Sequence, residues 1–290
     1  MTLTSSTAVQ ERSSLGVVDD EIAAEQTRVR SAAASRRARH RLYVMAIRLA
    51  SLVVVLAAWQ IGGQHVDPVL FTTPSAVAAA SLQMISSGEL WSYLWPSLVV
   101  LVVGLAISAV GGVVVGLLLA RFWVLDVGLD MYITFLYSTP TVALVPLIVL
   151  WVGFESTAKI VILFLFAFFP LVINTYQGVK NVDPRLLEVG RAFRCSERQL
   201  WSNIILPAAL PFIVTGLRLA VGRGLIGMVL ADLYTAISGI GYLITRSAST
   251  YRVDKMFVPI VVLGILGITL TALLRTAERW IAPWTVSSGD

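Results

Sequence analysis

Arg218, Arg223 and Asp232 are the only charged side chains in the run from Ala208 to Ile237, and they carry the sharpest chemical question in this chain. On insertion scales a charge held in hydrocarbon costs about 2.5 to 3.5 kcal/mol, so each needs a partner or water. Two readings follow. Asp232, with Ser238 and Gly239 nearby, can stand at an outer gate or solute pathway while Arg218 holds the inner half; or these charges form a structural ion pair or snorkel near helix ends. Ser138, Thr139, Thr141, Asn174 and Gln177 can offer hydrogen bonds to a solute, or tie helices together. The candidate pathway residues are Ser138, Thr139, Asn174, Asp232 and Ser238. No catalytic residue is assigned, because no clustered nucleophile, base or metal-ligand set occurs, and neither His40 nor His65 has a Cys, Asp or Glu at metal spacing inside a span. A single cysteine, Cys195, excludes an internal disulfide.

A second constellation lies in the segment Asp183 to Pro211, which is basic and amphipathic and interrupts the uncharged runs. Asp183 before Pro184 is the order of an N-cap followed by the first helical residue. Leu186, Leu187, Gly190 and Phe193 or Arg194 then fall at helical spacing. Ser196 followed by Gln199 fits a capping box, and the chain runs on through Leu200 to Pro207. The pattern predicts two short helices and a turn. It reads equally as a docking element for a soluble partner or as a basic helix snorkelling at lipid headgroups.

The elements that position these residues follow from composition. Hydrophobic residues make up 57% of the 290 residues and charged residues 13%, and the mean hydropathy is +0.82, a balance that a solvated soluble surface does not allow. A hydrocarbon core about 30 Å thick needs about 20 apolar helical residues. Six runs meet or approach that length: Leu42 to Ile61, Leu94 to Ala120, Met131 to Trp151, Ile160 to Tyr176, Ala208 to Ile237 and Phe257 to Leu274. The chain is therefore expected to be an all-α polytopic membrane protein with six transmembrane helices. In the second run Gly104, Ser108, Gly112, Gly116 and Ala120 recur every fourth residue, a stripe that lets another backbone approach, unless it reflects only the general glycine and alanine content of membrane helices. Pro140 and Pro146 place bends in the third run, as cavity linings or as plain kinks. Thr73 before Pro74 is placed to cap a short helix.

Orientation follows from loop charge. The tail (Arg28, Arg30, Arg36, Arg37, Arg39, Arg41), the loop after the fourth run (Lys180, Arg185, Arg191, Arg194, Arg198) and Arg275 with Arg279 share one side if six helices alternate. The other side keeps Lys159, Arg246, Arg252 and Lys255. Both termini and the Asp183 to Pro211 segment are thus expected in the cytoplasm, with residues 1–41 a basic, disordered or lipid-lying tail. Topology accounts for the net charge of +5, so no nucleic-acid partner is required.

The run Glu188-Val189-Gly190-Arg191-Ala192-Phe193, with Ile205-Leu206-Pro207 downstream, resembles the cytoplasmic EAA loop of permease subunits of ABC importers. The ordered segments TPSAV, SGELW, NVDPRLLE, ILPAALPFIVTGLRLAVG and SGIGYLI, covering roughly Phe71 to Trp280, are similar to the branch that includes aliphatic-sulfonate, taurine, nitrate and bicarbonate permeases. The chain departs from the pattern where Val189 and Gly190 replace two alanines and where Arg194 stands at the usual glycine. Arginine accommodates a positive φ poorly, so the turn is expected to shift to Cys195 and Ser196 or the helix to run on.

This resemblance implies a type I ABC importer permease fold: a transmembrane permease domain over 42–285, a coupling loop at about 181–207 and a C-terminal tail at 286–290. It implies that the loop docks on an ATPase through Leu187, Glu188, Gly190, Ala192, Phe193, Leu200 and Pro207, with Glu188 the polar anchor. The partners implied are a second permease copy forming a homodimer, two cytoplasmic ATPase subunits, an extracytoplasmic solute-binding protein and membrane lipid of the bacterial inner membrane. No cofactor is expected on this chain, which has no G-x-x-x-x-G-K-[ST] segment; ATP and Mg belong to the ATPase. The cargo implied is a small anion such as a sulfonate, taurine, nitrate or bicarbonate. The alternative from another class is an ion-coupled secondary transporter, which would use intramembrane carboxylates and an internal repeat.

Overall fold

The structure, a computed structural model, describes residue 40 and residues 42–281. The expectations for the basic tail, for the disorder of residues 1–41 and for the C-terminal tail lie outside the described residues. The chain divides into two compact units between His65 and Val66. In the first, α1 (Leu42–Gln64) is a 23-residue apolar helix. Its C-terminus is closed by His65, whose ring Nδ1 lies 2.7 Å from the Ile61 carbonyl.

The second unit begins with α2 (Pro74–Ser86), capped by Thr73 as its sequence predicts: the Thr73 hydroxyl accepts from the Ala76 amide. It continues through α3 (Glu89–Arg121), α4 (Trp123–Ser138), α5 (Thr141–Val152), α6 (Ser156–Lys180), α7 (Pro184–Ala192) and the short α8 (Glu197–Leu200). A π-helical turn over Trp201–Ile205 leads into α9 (Leu206–Thr235), followed by α10 (Ile240–Ser249) and α11 (Val253–Ile281). All regular elements among the described residues are helical.

Five helical stretches are long and apolar enough to cross a membrane: α1, α3, α6, α8 with α9, and α11. A sixth crossing arises if α4 and α5 together make one span. The third hydrophobic run is therefore not a single helix. Its two halves meet at 97°, and the break falls at Thr139–Pro140, with Thr139 extended at φ −71° and ψ 133°. Proline has no N–H for the helical ladder and its ring pushes the preceding residue out of the α region, so Pro140 breaks the helix. Pro146 stays inside α5 without ending it.

α6 is the axis of this unit. Val100 and Leu101 of α3, Leu163, Ala167 and Leu171 of α6, and Ala220 and Met228 of α9 join Ile240 in one buried cluster. The small-residue stripe of α3 faces α6: Gly104, Ser108, Gly112 and Gly116 are all buried. A Cβ on Gly116 would lie 2.7 Å from Thr175 Cβ and 2.8 Å from the Val172 carbonyl oxygen. The stripe thus serves close backbone approach, which in a bilayer substitutes packing for the missing hydrophobic drive.

Gly116→Ala is expected to destabilise by about 1 to 3 kcal/mol because backbone on α6 must move. Gly128→Ala on α4, with open space around it, is expected to be neutral or to stabilise by up to about 1 kcal/mol through helix propensity. Thermal unfolding of the two variants in one detergent compares them, and equal shifts would mean the stripe is not a contact surface.

Candidate functional site

Most of the candidate residues fall in three places. The first is a buried network at the end of the bundle where α9, α10 and the start of α6 meet. Asp232 is fully buried and Lys159 nearly so, and their Oδ1 and Nζ atoms are 2.8 Å apart. Lys159 also donates to the Ser238 carbonyl at 2.6 Å and lies 3.1 Å from the Ser238 hydroxyl. Ser97 of α3 donates to the other Asp232 oxygen at 2.5 Å and accepts from the Ile240 amide at 2.7 Å. The Gly241 amide donates to Asp232 at 3.3 Å. The carboxylate thereby caps the start of α10, where a helix favours negative charge.

Local sequence makes this possible. Gly239 takes φ +101°, and a Cβ there would run into the Asp232 carboxylate; at Gly241 a Cβ would meet the Val229 carbonyl oxygen at 2.6 Å. Of the two readings of Asp232, a buried ion pair is what its side chain makes, and Ser238 belongs to the same network. Lys159, which loop charge alone assigns to a surface, lies at the buried start of α6. The signal that could have found it is pairing: one isolated Lys at the head of one apolar run and one isolated Asp in another must neutralise each other.

The second place is the break between α4 and α5. Tyr137, Ser138, Thr139, Pro140 and Thr141 line a cleft of about 300 Å³ together with Arg223 of α9. Arg223 donates to the Tyr137 hydroxyl at 3.1 Å and stands 4.9 Å from the centre of its ring. Ser138 and Thr139 are thus in one cavity. Asn174 is elsewhere, donating to the Pro170 carbonyl of its own helix at 2.7 Å and packed against Gly216. Arg218 pairs with Glu278 of α11 at 2.5 Å. The five candidate pathway residues therefore divide among a cleft, a helix contact and a buried ion pair.

The third place is the loop between α6 and α9. Asp183 caps α7 by accepting from the Arg185 amide at 2.9 Å, and the Ser196–Gln199 capping box forms in full. Glu188 is exposed. Leu186, Val189 and Phe193, spaced i, i+3, i+7, expose 48%, 53% and 80% of their surfaces, an apolar face left open to the outside of the chain. Leu187 is half-buried and Ala192 exposed. Leu186 and Val189 extend the face beyond the docking residues that the resemblance implies, and their helical spacing with Phe193 is the signal for them. Leu200 is buried and supports α7 from beneath: a Cβ on Gly190 would fall 2.6 Å from Leu200 Cδ2 and 2.8 Å from Ile204 Cδ1. Pro207 sits in the first turn of α9.

The turn after α7 corrects one expectation. It neither moves to Cys195 and Ser196 nor lets the helix run on; Arg194 itself takes φ +53°. The Cys195 amide donates to the Gly190 carbonyl at 3.0 Å and the Arg194 amide to the Arg191 carbonyl at 2.9 Å. These are the paired bonds of a Schellman motif, and they hold the arginine in a conformation that costs a side chain about 1 to 2 kcal/mol.

Arg121 ties this loop to the spans, and an ion pair between α6 and α4 lies at the same end of the bundle. Arg121, at the end of α3, pairs with Glu197 at 2.8 Å and lies over the Trp201 ring at 5.4 Å. Lys180, at the end of α6, pairs with Asp126 of α4 at 2.8 Å. A displacement of α7 and α8 therefore reaches α3 directly and α9 through continuous helix. Among the described residues, no group of His, Cys, Asp or Glu is arranged to hold a metal ion.

Removing one member of the buried pair, as in Asp232→Ala, is expected to cost about 3 to 5 kcal/mol, and the joint change of Lys159→Met with Asp232→Leu markedly less. Unfolding midpoints of the three proteins decide this, the pair being refuted if the joint change is the worse one. Arg194→Gly is expected to gain about 1 kcal/mol locally, seen as slower amide exchange over residues 184–195.

Residues 112–287 match the family of binding-protein-dependent transport system inner membrane components. A Bacillus subtilis (strain 168) protein named for aliphatic sulfonates transport, the permease protein SsuC, is 35% identical over 233 residues, covering 80% of this chain and 84% of that protein. The formylaminopyrimidine transport permease protein ThiX of Halalkalibacterium halodurans is 30% identical over 235 residues, covering 80% of this chain and 93% of that protein. Among solved structures, an amino acid ABC transporter crystallised with histidines aligns with a TM-score of 0.52 at 20% identity, over 69% of this chain and 98% of that one; the likeness is one of fold.

Proposed function

We propose, from the premise that this chain belongs to the family of binding-protein-dependent transport system inner membrane components, that it carries a small anion across the membrane under the control of α7. The chain is a multi-pass inner-membrane permease subunit of an ABC importer, not an enzyme, and it works with ATPase and solute-binding partners. Our reading adds that two copies pair around the pathway in contact with lipid. It also holds that two ATPase subunits bring ATP and Mg, that both termini are cytoplasmic, and that an extracytoplasmic binding protein delivers the cargo.

The observation that supports coupling is the open apolar face of α7, Leu186, Val189 and Phe193, flanked by exposed Glu188. An apolar face of that kind on a short capped helix, outside any apolar span, fits the groove of a soluble partner better than headgroups. The mechanism then follows from the contacts. Closure of the ATPases displaces α7; Gly190 against Leu200 passes the displacement to α8; the Arg121–Glu197 pair and the helix running into α9 carry it to the spans. The bundles tilt against each other and access alternates. An ion-coupled carrier would need a carboxylate that meets the pathway, whereas Asp232 is buried in its pair with Lys159. For the cargo, the relative named for aliphatic sulfonates favours an anion, while the relative named for formylaminopyrimidine transport shows that the family is not confined to anions; Arg223 in the cleft tips the balance toward negative charge.

In a complex reconstituted with its ATPase and binding protein, Glu188→Lys or Phe193→Asp is expected to lower ligand-stimulated ATP hydrolysis and uptake by at least about tenfold, the loss of one buried anchor, with membrane insertion unchanged. Full stimulation in both variants would refute the coupling assignment. Cys195 is the only cysteine, two residues past Phe193, so a maleimide photocrosslinker attached there is expected to capture the ATPase subunit.

A further inference from the structure

The charges inside the spans are not treated alike. Lys159 has Asp232 and Arg218 has Glu278. Arg223, past the middle of α9, has no carboxylate within ion-pair distance among the described residues; its recorded partners are the hydroxyl and ring of Tyr137. A guanidinium cannot lose its proton to escape the penalty of the bilayer. An intramembrane cation without a counterion, opening on a cavity, is the arrangement expected where the counterion is a ligand.

The remaining lining gives that ligand its chemistry. Ser138 and Thr141 make no side-chain hydrogen bond among the described residues, so both O–H groups are available as donors in the cleft. Thr139 already donates to the Phe135 carbonyl at 2.9 Å and offers only lone pairs. The Tyr137 hydroxyl accepts from Arg223, which leaves its own O–H to give. Donors converge on the cavity from α4, α5 and α9, and no carboxylate lines it. A site of this composition accepts oxyanions and repels cations. Its volume, about 300 Å³, is at the lower end for small-molecule sites, which suits an anion of a few heavy atoms with some water.

We propose that the cleft at the α4–α5 break is a transient station for a small oxyanion of the sulfonate or carboxylate type, with Arg223 as its counter-charge and Ser138, Thr141 and Tyr137 as hydroxyl donors. The proposal rests on the reading of the chain as an anion importer and names the residues that would make the pathway selective. The station is built across the break, since α4 carries Tyr137 and Ser138, α5 carries Thr141, and the two meet at an angle of 97°.

The test uses the complete complex in nanodiscs. The rate at which phenylglyoxal modifies Arg223 is followed by mass spectrometry with no addition, with ethanesulfonate, and with its neutral analogue ethyl methyl sulfone, Arg218 serving as the internal reference. Ethanesulfonate is expected to slow modification of Arg223 about tenfold near saturation, as a charge-assisted bidentate contact would, and the sulfone to leave it unchanged. Equal effects of the two probes, no effect of either, or an Arg223 resistant in every arm because lipid or a second copy covers it, would overturn the proposal. So would protection that follows the phosphatidylglycerol content of the disc and not the added sulfonate. In parallel, Arg223→Met is expected to reduce ethanesulfonate uptake about tenfold or more and Arg223→Lys to retain a measurable part of it. Uptake by the unaltered complex with Arg223 unprotected would remove the station and leave the anion-importer reading standing. Protection without uptake would keep the station and remove sulfonate as the cargo.

Discussion

The pairing of Lys159 with Asp232 is the constraint around which the second unit is organised. Two opposite charges out of water are tolerable only when their distance is short and their remaining hydrogen-bonding capacity is used. Both conditions are met at 2.8 Å with Ser97, Ser238 and the amide of Gly241 completing the shell. Meeting them requires α3, α6, α9 and α10 to converge at one point. The glycines at 239 and 241 exist to let them do so, because any side chain there would occupy the space of the carboxylate or of a backbone carbonyl. The cost of leaving either charge alone makes the convergence specific, whereas apolar packing in lipid would tolerate many arrangements.

At the other end of the bundle the contacts differ in kind. Arg121 with Glu197 and Lys180 with Asp126 are solvent-accessible to varying degrees, with Glu197 exposing 63% of its side chain. Such pairs contribute little stability and can re-form after a displacement. The bundle therefore has a buried anchor at one end and exchangeable contacts at the other, the arrangement that the proposed coupling through α7 requires. At the same end α7 exposes Leu186, Val189 and Phe193, and the turn after it holds Arg194 at a positive φ.

Much of this was legible from residue order. The caps of α2, α7 and α8 were readable from Thr73, Asp183 and the Ser196–Gln199 pair because capping is a matter of neighbouring atoms. The stripe on α3 was readable because helical periodicity alone places its members on one face. Arg194 was misread for the same reason that the caps were read well. Local propensity disfavours a positive φ for arginine, but the two amide bonds to Gly190 and Arg191 outweigh that preference once α8 packs Leu200 under Gly190.

Hydropathy and short motifs determined the membrane class, the apolar runs, the two capped helices of the α6–α9 loop and the family, since all of these depend on residues close together in the chain. Which charges neutralise one another was decided only in three dimensions. Lys159 and Asp232 lie far apart in sequence, as do Arg218 and Glu278, and nothing local says that they meet while Arg223 meets no acid among the described residues. The position of Ser138 and Thr139 in a cleft, and of Asn174 outside it, depends likewise on a 97° break whose direction the proline permits but does not choose. Partner choice over long separations is a property of the packed helices, because only packing sets the distances that decide which charge meets a counter-charge.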